Sequence, residues 1–125
     1  MPARRRTDPA AGREALSRWR TDPTSADRTT TATAVRSTLE DLAERAPGHS
    51  VEVRVAPYGV VQCVEGPRHT RGTPPNVVET DAATWLSLAA GDLPWTEAVE
   101  SGRVRASGSR ADLSALLPLA PAGAA

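Results

Sequence analysis

The stretch SVEVRVAPYGVVQCVEG, residues 50–66, decides the fold class. Val51, Val53 and Val55 alternate with Glu52 and Arg54, the two-residue period of a strand with one buried and one wet face. Ala56-Pro57-Tyr58-Gly59 carries turn chemistry, and Val60 to Glu65 returns as a second, more apolar strand. So short a connection predicts an antiparallel hairpin. In the returning strand Val61, Cys63 and Glu65 share one face, and Val60, Gln62 and Val64 the other.

Upstream of the hairpin the period changes. From about Thr30, the residues Val35, Leu39, Leu42, Ala43 and Ala46 recur at helical spacing, and Pro47-Gly48 ends the run. Asp41 and Arg45 stand four apart in the orientation that favours an ion pair along a helix. Residues 1–28 read as a basic, largely flexible tail, in whose first twenty residues Arg4, Arg5, Arg6, Arg13, Arg18 and Arg20 are opposed only by Asp8 and Glu14. Within it Asp8 and Pro9 have the form of a helix start. The following segment offers only Leu16 and Trp19 as apolar contacts, which leaves disorder and a single turn docked by Trp19 as alternatives.

Downstream, Gly66 to Asn76 holds three prolines and two glycines and reads as a loop. Asn76 to Thr80 is a short strand, and Asp81 caps a helix in which Trp85, Leu88 and Ala89 share a face up to Gly91. A short helix follows, with Pro94 in its first turn, apolar Trp95, Ala98 and Val99, and Gly102 at its end. Arg103 to Gly108 is a brief strand with Val104 and Ala106 facing inward. Ser109 to Asp112 has the form of a capping box before Leu113, Leu116 and Leu117, so a last helix is expected there, stopped by Pro118. Residues 120–125 are an expected disordered end. The sum is an α+β fold: a small, mostly antiparallel sheet of four to five strands covered by helices, with any fifth strand in the 66–75 loop.

The chain has 125 residues, enough for one modest core, and its 15 basic and 15 acidic side chains cancel. No global field therefore steers it to nucleic acid or to an anionic membrane. All its basic residues are Arg, and Lys, Ile and Phe are absent, which reads as the codon bias of a high-GC genome. The single cysteine, Cys63, cannot form an internal disulfide. No apolar run has the length of a signal peptide or membrane span, and the expected compartment is the cytoplasm.

No catalytic residue, cofactor or metal site is expected, since nucleophile-elbow, phosphate-loop and metal-ligand spacings are all missing. His49 and His69 lack further ligands at suitable spacing, and Cys63 sits among valines as a small apolar residue. The one dense polar constellation is Arg68, His69, Thr70, Arg71 and Thr73 around Gly72. Forked guanidinium donors on a glycine-bearing loop suit a carboxylate or phosphate headgroup. The competing reading is a structural loop whose arginines pair with Glu65 and Glu79.

The segment DAATWLSLAAGDLPWTEAVESGRVRASGSRADLSALL, residues 81–117, resembles the closing part of sterol-carrier-protein-like domains. The middle of the chain, residues 48–80, resembles the short actinobacterial members of that superfamily. That resemblance assigns residues 29–119 to a sterol-carrier-like domain and implies an apolar tunnel for a lipid, sterol or fatty-acyl chain. Its lining, or the core in its place, would be Val53, Val55, Val61, Cys63, Trp85, Leu88, Trp95, Val99, Leu113, Leu116 and Leu117. The implied function is a non-enzymatic carrier of an apolar small molecule. The alternative is an interaction or accessory module without a tunnel, serving a protein partner such as a mycothiol-dependent-type enzyme, because a related domain occurs fused to such enzymes.

Overall fold

The computed structural model describes residues 5–66 and 76–119. Along the chain come α1 (Pro9–Thr21), α2 (Arg28–Arg45), β1 (Val51–Val55), β2 (Gly59–Cys63), β3 (Val77–Thr80), α3 (Ala82–Ala90), α4 (Trp95–Glu100) and β4 (Val104–Ser107). The strands form one mixed sheet in the order β2-β1-β3-β4. The expected hairpin is there, antiparallel, with Val51 opposite Cys63 and Val55 opposite Gly59. β1 runs parallel to β3, and β3 pairs antiparallel with β4. Parallel neighbours need a long connection, which the chain from residue 56 to residue 76, including β2, supplies. The class is thus α+β with four strands among the described residues. The place suggested for a fifth lies mostly outside them.

Aspartate starts three of the four helices. Asp8, Asp27 and Asp81 each accept a backbone N–H from the third residue on, namely Ala11, Thr30 and Thr84, satisfying a donor that the first turn leaves free. α3 stops at Gly91, whose φ of 87° is the left-handed cap conformation expected of glycine there. α4 begins one residue later than anticipated, with Pro94 as its cap.

One face of the sheet is buried. Val51, Val53, Val55, Cys63 and Val78 are sealed from solvent and join Val35, Leu39 and Leu42 of α2 and Trp85, Leu86 and Leu88 of α3 in one cluster. The other face carries charge: Arg54 pairs with Glu52 along β1, and Arg105 with Glu79 across β3 and β4 at 2.7 Å. At the end of β2, Val64 adopts a φ of 67°, rare for a branched residue. It is fixed there because its N–H donates to the Ala46 carbonyl at 2.7 Å and its own carbonyl accepts from the Ser50 N–H and hydroxyl.

For α1 the structure takes the docked alternative, but over several turns where a single turn was expected. It is a helix of 13 residues lying against α2, with Ala15 and Trp19 buried. The crossing is tight because Gly12 rests on Ser37: a Cβ built at Gly12 would fall 1.8 Å from the Ser37 hydroxyl oxygen and 2.4 Å from its Cβ. Arg20 adds a two-pronged pair to Asp92 beyond α3.

Two local expectations are corrected. No helix forms after β4; residues 109–119 run in turns. Asp112 accepts the Ser114 N–H instead of closing a capping box, and only one turn-like bond follows, from Leu116 N–H to the Leu113 carbonyl. The segment is too short to sustain a helix before Pro118, and its tail is held elsewhere. Arg45 donates to the carbonyls of Pro118 and Leu119, and the Leu119 N–H donates to Ala89. That use of Arg45 also removes the expected pair with Asp41. Ala106 lies on the inward face as expected, opposite buried Val78, yet stays exposed because β4 is the last strand of the sheet and only Val104 is covered.

Candidate functional site

Of the residues nominated as tunnel wall or core, Val53, Val55, Cys63, Trp85, Leu88 and Leu113 are buried in one packed cluster. Val61, Trp95, Leu116 and Leu117 pack against its margin, half-buried. Val99 stands apart on α4, 38% exposed. At the centre the Trp85 indole N–H donates to the Thr38 hydroxyl at 2.8 Å, and that hydroxyl donates back to the Ala34 and Val35 carbonyls of its own helix. Among the described residues every buried side-chain nitrogen and oxygen has a partner, and Trp85 fills the interior beside α2.

The nominated headgroup residues, Arg68, His69, Thr70, Arg71 and Thr73, lie outside the described residues. Their suggested structural partner Glu79 accepts from Arg105. Cys63 faces the core, and burial pushes its thiol up to about 11, far from a reactive thiolate at neutral pH. His49 Nδ1 is 2.8 Å from Gln62 Oε1, a contact across the hairpin base. Among the described residues no group of three His, Cys, Asp or Glu side chains could hold a metal ion. None of their helices is long and apolar enough to cross a membrane.

The candidate site is a groove of about 540 Å3 on the flank of the molecule, where α2 meets β2. Leu39 and Ala43 of α2 and Val60 and Val61 of β2 give it an apolar floor. Val60 is 58% exposed, the most exposed large aliphatic side chain among the described residues. Arg36, Glu40 and Glu44 form a charged rim on α2, and Arg5, Arg6 and Thr7 make the facing wall. Arg36 is oriented by donating through Nε to the Tyr58 carbonyl in the hairpin turn, at 3.1 Å.

The facing wall is a short strap ahead of α1. Arg5 donates to Asp41 at 2.7 Å, to Glu44 at 3.1 Å and to the Ser37 hydroxyl at 2.8 Å, and its Nε holds the Thr7 carbonyl. The backbone N–H groups of Arg6 and Thr7 each donate to one oxygen of Glu40, at 2.9 Å. Burial pushes the Asp41 carboxyl above its ordinary range, and the hydrogen bond from Arg5 opposes that push without cancelling it. Hydropathy missed this site because Leu39 and Ala43 read as core positions and are buried, while Val60 reads as the wet side of a strand. The signal that could have found it is the acidic trio Glu40, Asp41 and Glu44 on one helix together with the Arg4-Arg5-Arg6 run.

The family model for the bacterial SCP ortholog matches residues 27–119, about three quarters of the chain. The chain belongs to the sterol-carrier-protein-like family. No curated protein matches it. The match begins at Asp27, the cap of α2, so the sterol-carrier-like segment supplies the groove's floor and acidic rim. The strap and α1 stand outside it.

Proposed function

We propose that this chain is a non-enzymatic cytoplasmic carrier for an apolar small molecule with a fatty-acyl or similar chain, held in the groove between α2 and β2. The observation that carries the reading is the apolar floor of Leu39, Ala43, Val60 and Val61 in a space of about 540 Å3. That volume falls within the roughly 300–1,000 Å3 usual for small-molecule sites. Exposed Val60 gains most from being covered. Guanidinium groups at the rim suit an anionic headgroup, for which Arg68, His69, Thr70, Arg71 and Thr73 are the further candidates in the sequence. Membership in a carrier-type family supports the same reading.

Purified protein examined by native mass spectrometry should retain an acyl-type mass, and a fluorescent fatty-acid probe should bind at micromolar concentration. Val60→Glu, which places a charge on the floor, should abolish both. Absence of any bound lipid together with no probe binding by the unaltered protein would overturn the carrier reading.

The second reading, an accessory module that docks on a partner enzyme, is favoured by one observation. The interior face of the sheet is filled by Trp85 and its neighbours. Co-purification of a mycothiol-dependent-type enzyme with a lipid-free protein would select it.

A further inference from the structure

We propose that the strap Arg5–Thr7 is a latched wall that opens to admit and release the groove's ligand while α1 stays docked; this rests on the carrier reading above. Strap and helix are attached by different chemistry. α1 is held by buried Ala15 and Trp19 and by the close crossing of Gly12 over Ser37. The strap is held by ionic and polar contacts. Arg5 reaches Asp41, Glu44 and Ser37, and the Arg6 and Thr7 N–H groups share the Glu40 carboxylate. Among the described residues, the strap makes no backbone-to-backbone hydrogen bond.

Charge-assisted bonds of this kind are strong enough to define a closed position, yet they are screened by salt and exchangeable for water or for another anion. Asp41 and Glu44 are about half exposed, with side-chain exposures of 45% and 51%, so water and ions reach the latch. The strap's three residues line the groove along the acidic rim of α2, and Asp8, in extended conformation at the start of α1, is the natural pivot. Opening therefore breaks the carboxylate contacts and leaves the apolar packing of α1 intact.

Asp41 latches Arg5 without lining the groove, so Asp41→Asn separates an effect on the strap from an effect on the pocket surface. Two readouts are taken on the full chain: amide hydrogen exchange at Arg6 and Thr7, and the dissociation rate of a fluorescent fatty acid. In the variant, exchange at those two amides and probe dissociation should both rise, by about tenfold, the loss of one charge-assisted bond. Exchange within α1 should not change. About 0.5 M NaCl should move the unaltered protein in the same direction. Unprotected Arg6 and Thr7 amides in the unaltered protein would overturn the latch. Faster exchange with unchanged probe dissociation would overturn the gate. If the unaltered protein protects those amides and binds no probe, the carrier reading has failed, and the gate fails with it.

Discussion

The inner face of the sheet and its β2 flank are built from the same residue types and treat solvent in opposite ways. On the inner face Val51, Val53 and Val55 meet α2 and α3, and Trp85 closes the space between them with its one polar atom bonded to Thr38. On the flank Val61 packs only in part against the core, Val60 stands in solvent, and a strap of three residues held through charge lines the groove beside them. Complementary volume makes a core, and apolar surface without a packing partner makes a binding site. In a chain this small, a cavity on the inner face would remove the interactions that fold it, whereas a groove at the margin costs little.

The sharpest way to break this contrast is Trp85→Ala. If the inner face is a packed core, the variant should lose about 3–5 kcal/mol of stability, read by chemical denaturation. A loss below about 1 kcal/mol would mean that the indole lines a space already empty. Cys63 tests the same face by pH. Its thiol is raised in the folded state to about 11, so its stabilising contribution is complete below the ordinary thiol range and is lost as pH rises toward 11. The loss should reach about 3 kcal/mol at 1.36 kcal/mol per unit, and a Cys63→Ala variant should lack it. The native thiol should also resist a thiol-specific reagent at neutral pH.

Gly12→Ala probes the side that carries the strap. Alanine favours a helix interior by about 1 kcal/mol, but the added methyl collides with Ser37, whose Cβ cannot yield without moving α2. The net effect should be a destabilisation of about 1–2 kcal/mol and a rise in Trp19 exposure, visible in its fluorescence. Smallest in stability should be Val60→Glu, within about 0.5 kcal/mol, because the side chain already stands in water. Its effect should fall on ligand binding alone. A large stability loss there would show that the flank is core after all.

Much of the fold was legible because local signals agreed with the tertiary structure. The valine alternation of β1, the turn before Gly59, and the capping aspartates Asp8 and Asp81 each have one physical solution, and the protein uses it. The C-terminal leucines misled because Leu113 is buried without a helix, with the neighbouring chain tied to Arg45 and Ala89. The site was harder to read. Leu39 and Ala43 look like ordinary core positions on α2, and Val60 like the wet side of an ordinary strand. Their convergence at one groove depends on where the helix lies over the sheet edge, which periodicity does not encode. Likewise Ser37 and Asp41 fall on the polar side of α2 by pattern, yet they receive Gly12 and Arg5 from a segment far upstream.

The central claim, that the ligand sits on the flank and not under the sheet, is most directly tested by titrating isotope-labelled protein with a long-chain fatty acid and mapping the amide and methyl shifts by NMR. The account predicts saturable changes confined to Leu39, Ala43, Val60, Val61 and the strap Arg5–Thr7, with the Trp85 indole N–H, Leu88 and Leu113 unmoved. Changes centred on Trp85, Leu88 and Leu113, with Val60 and Val61 unaffected, would contradict it.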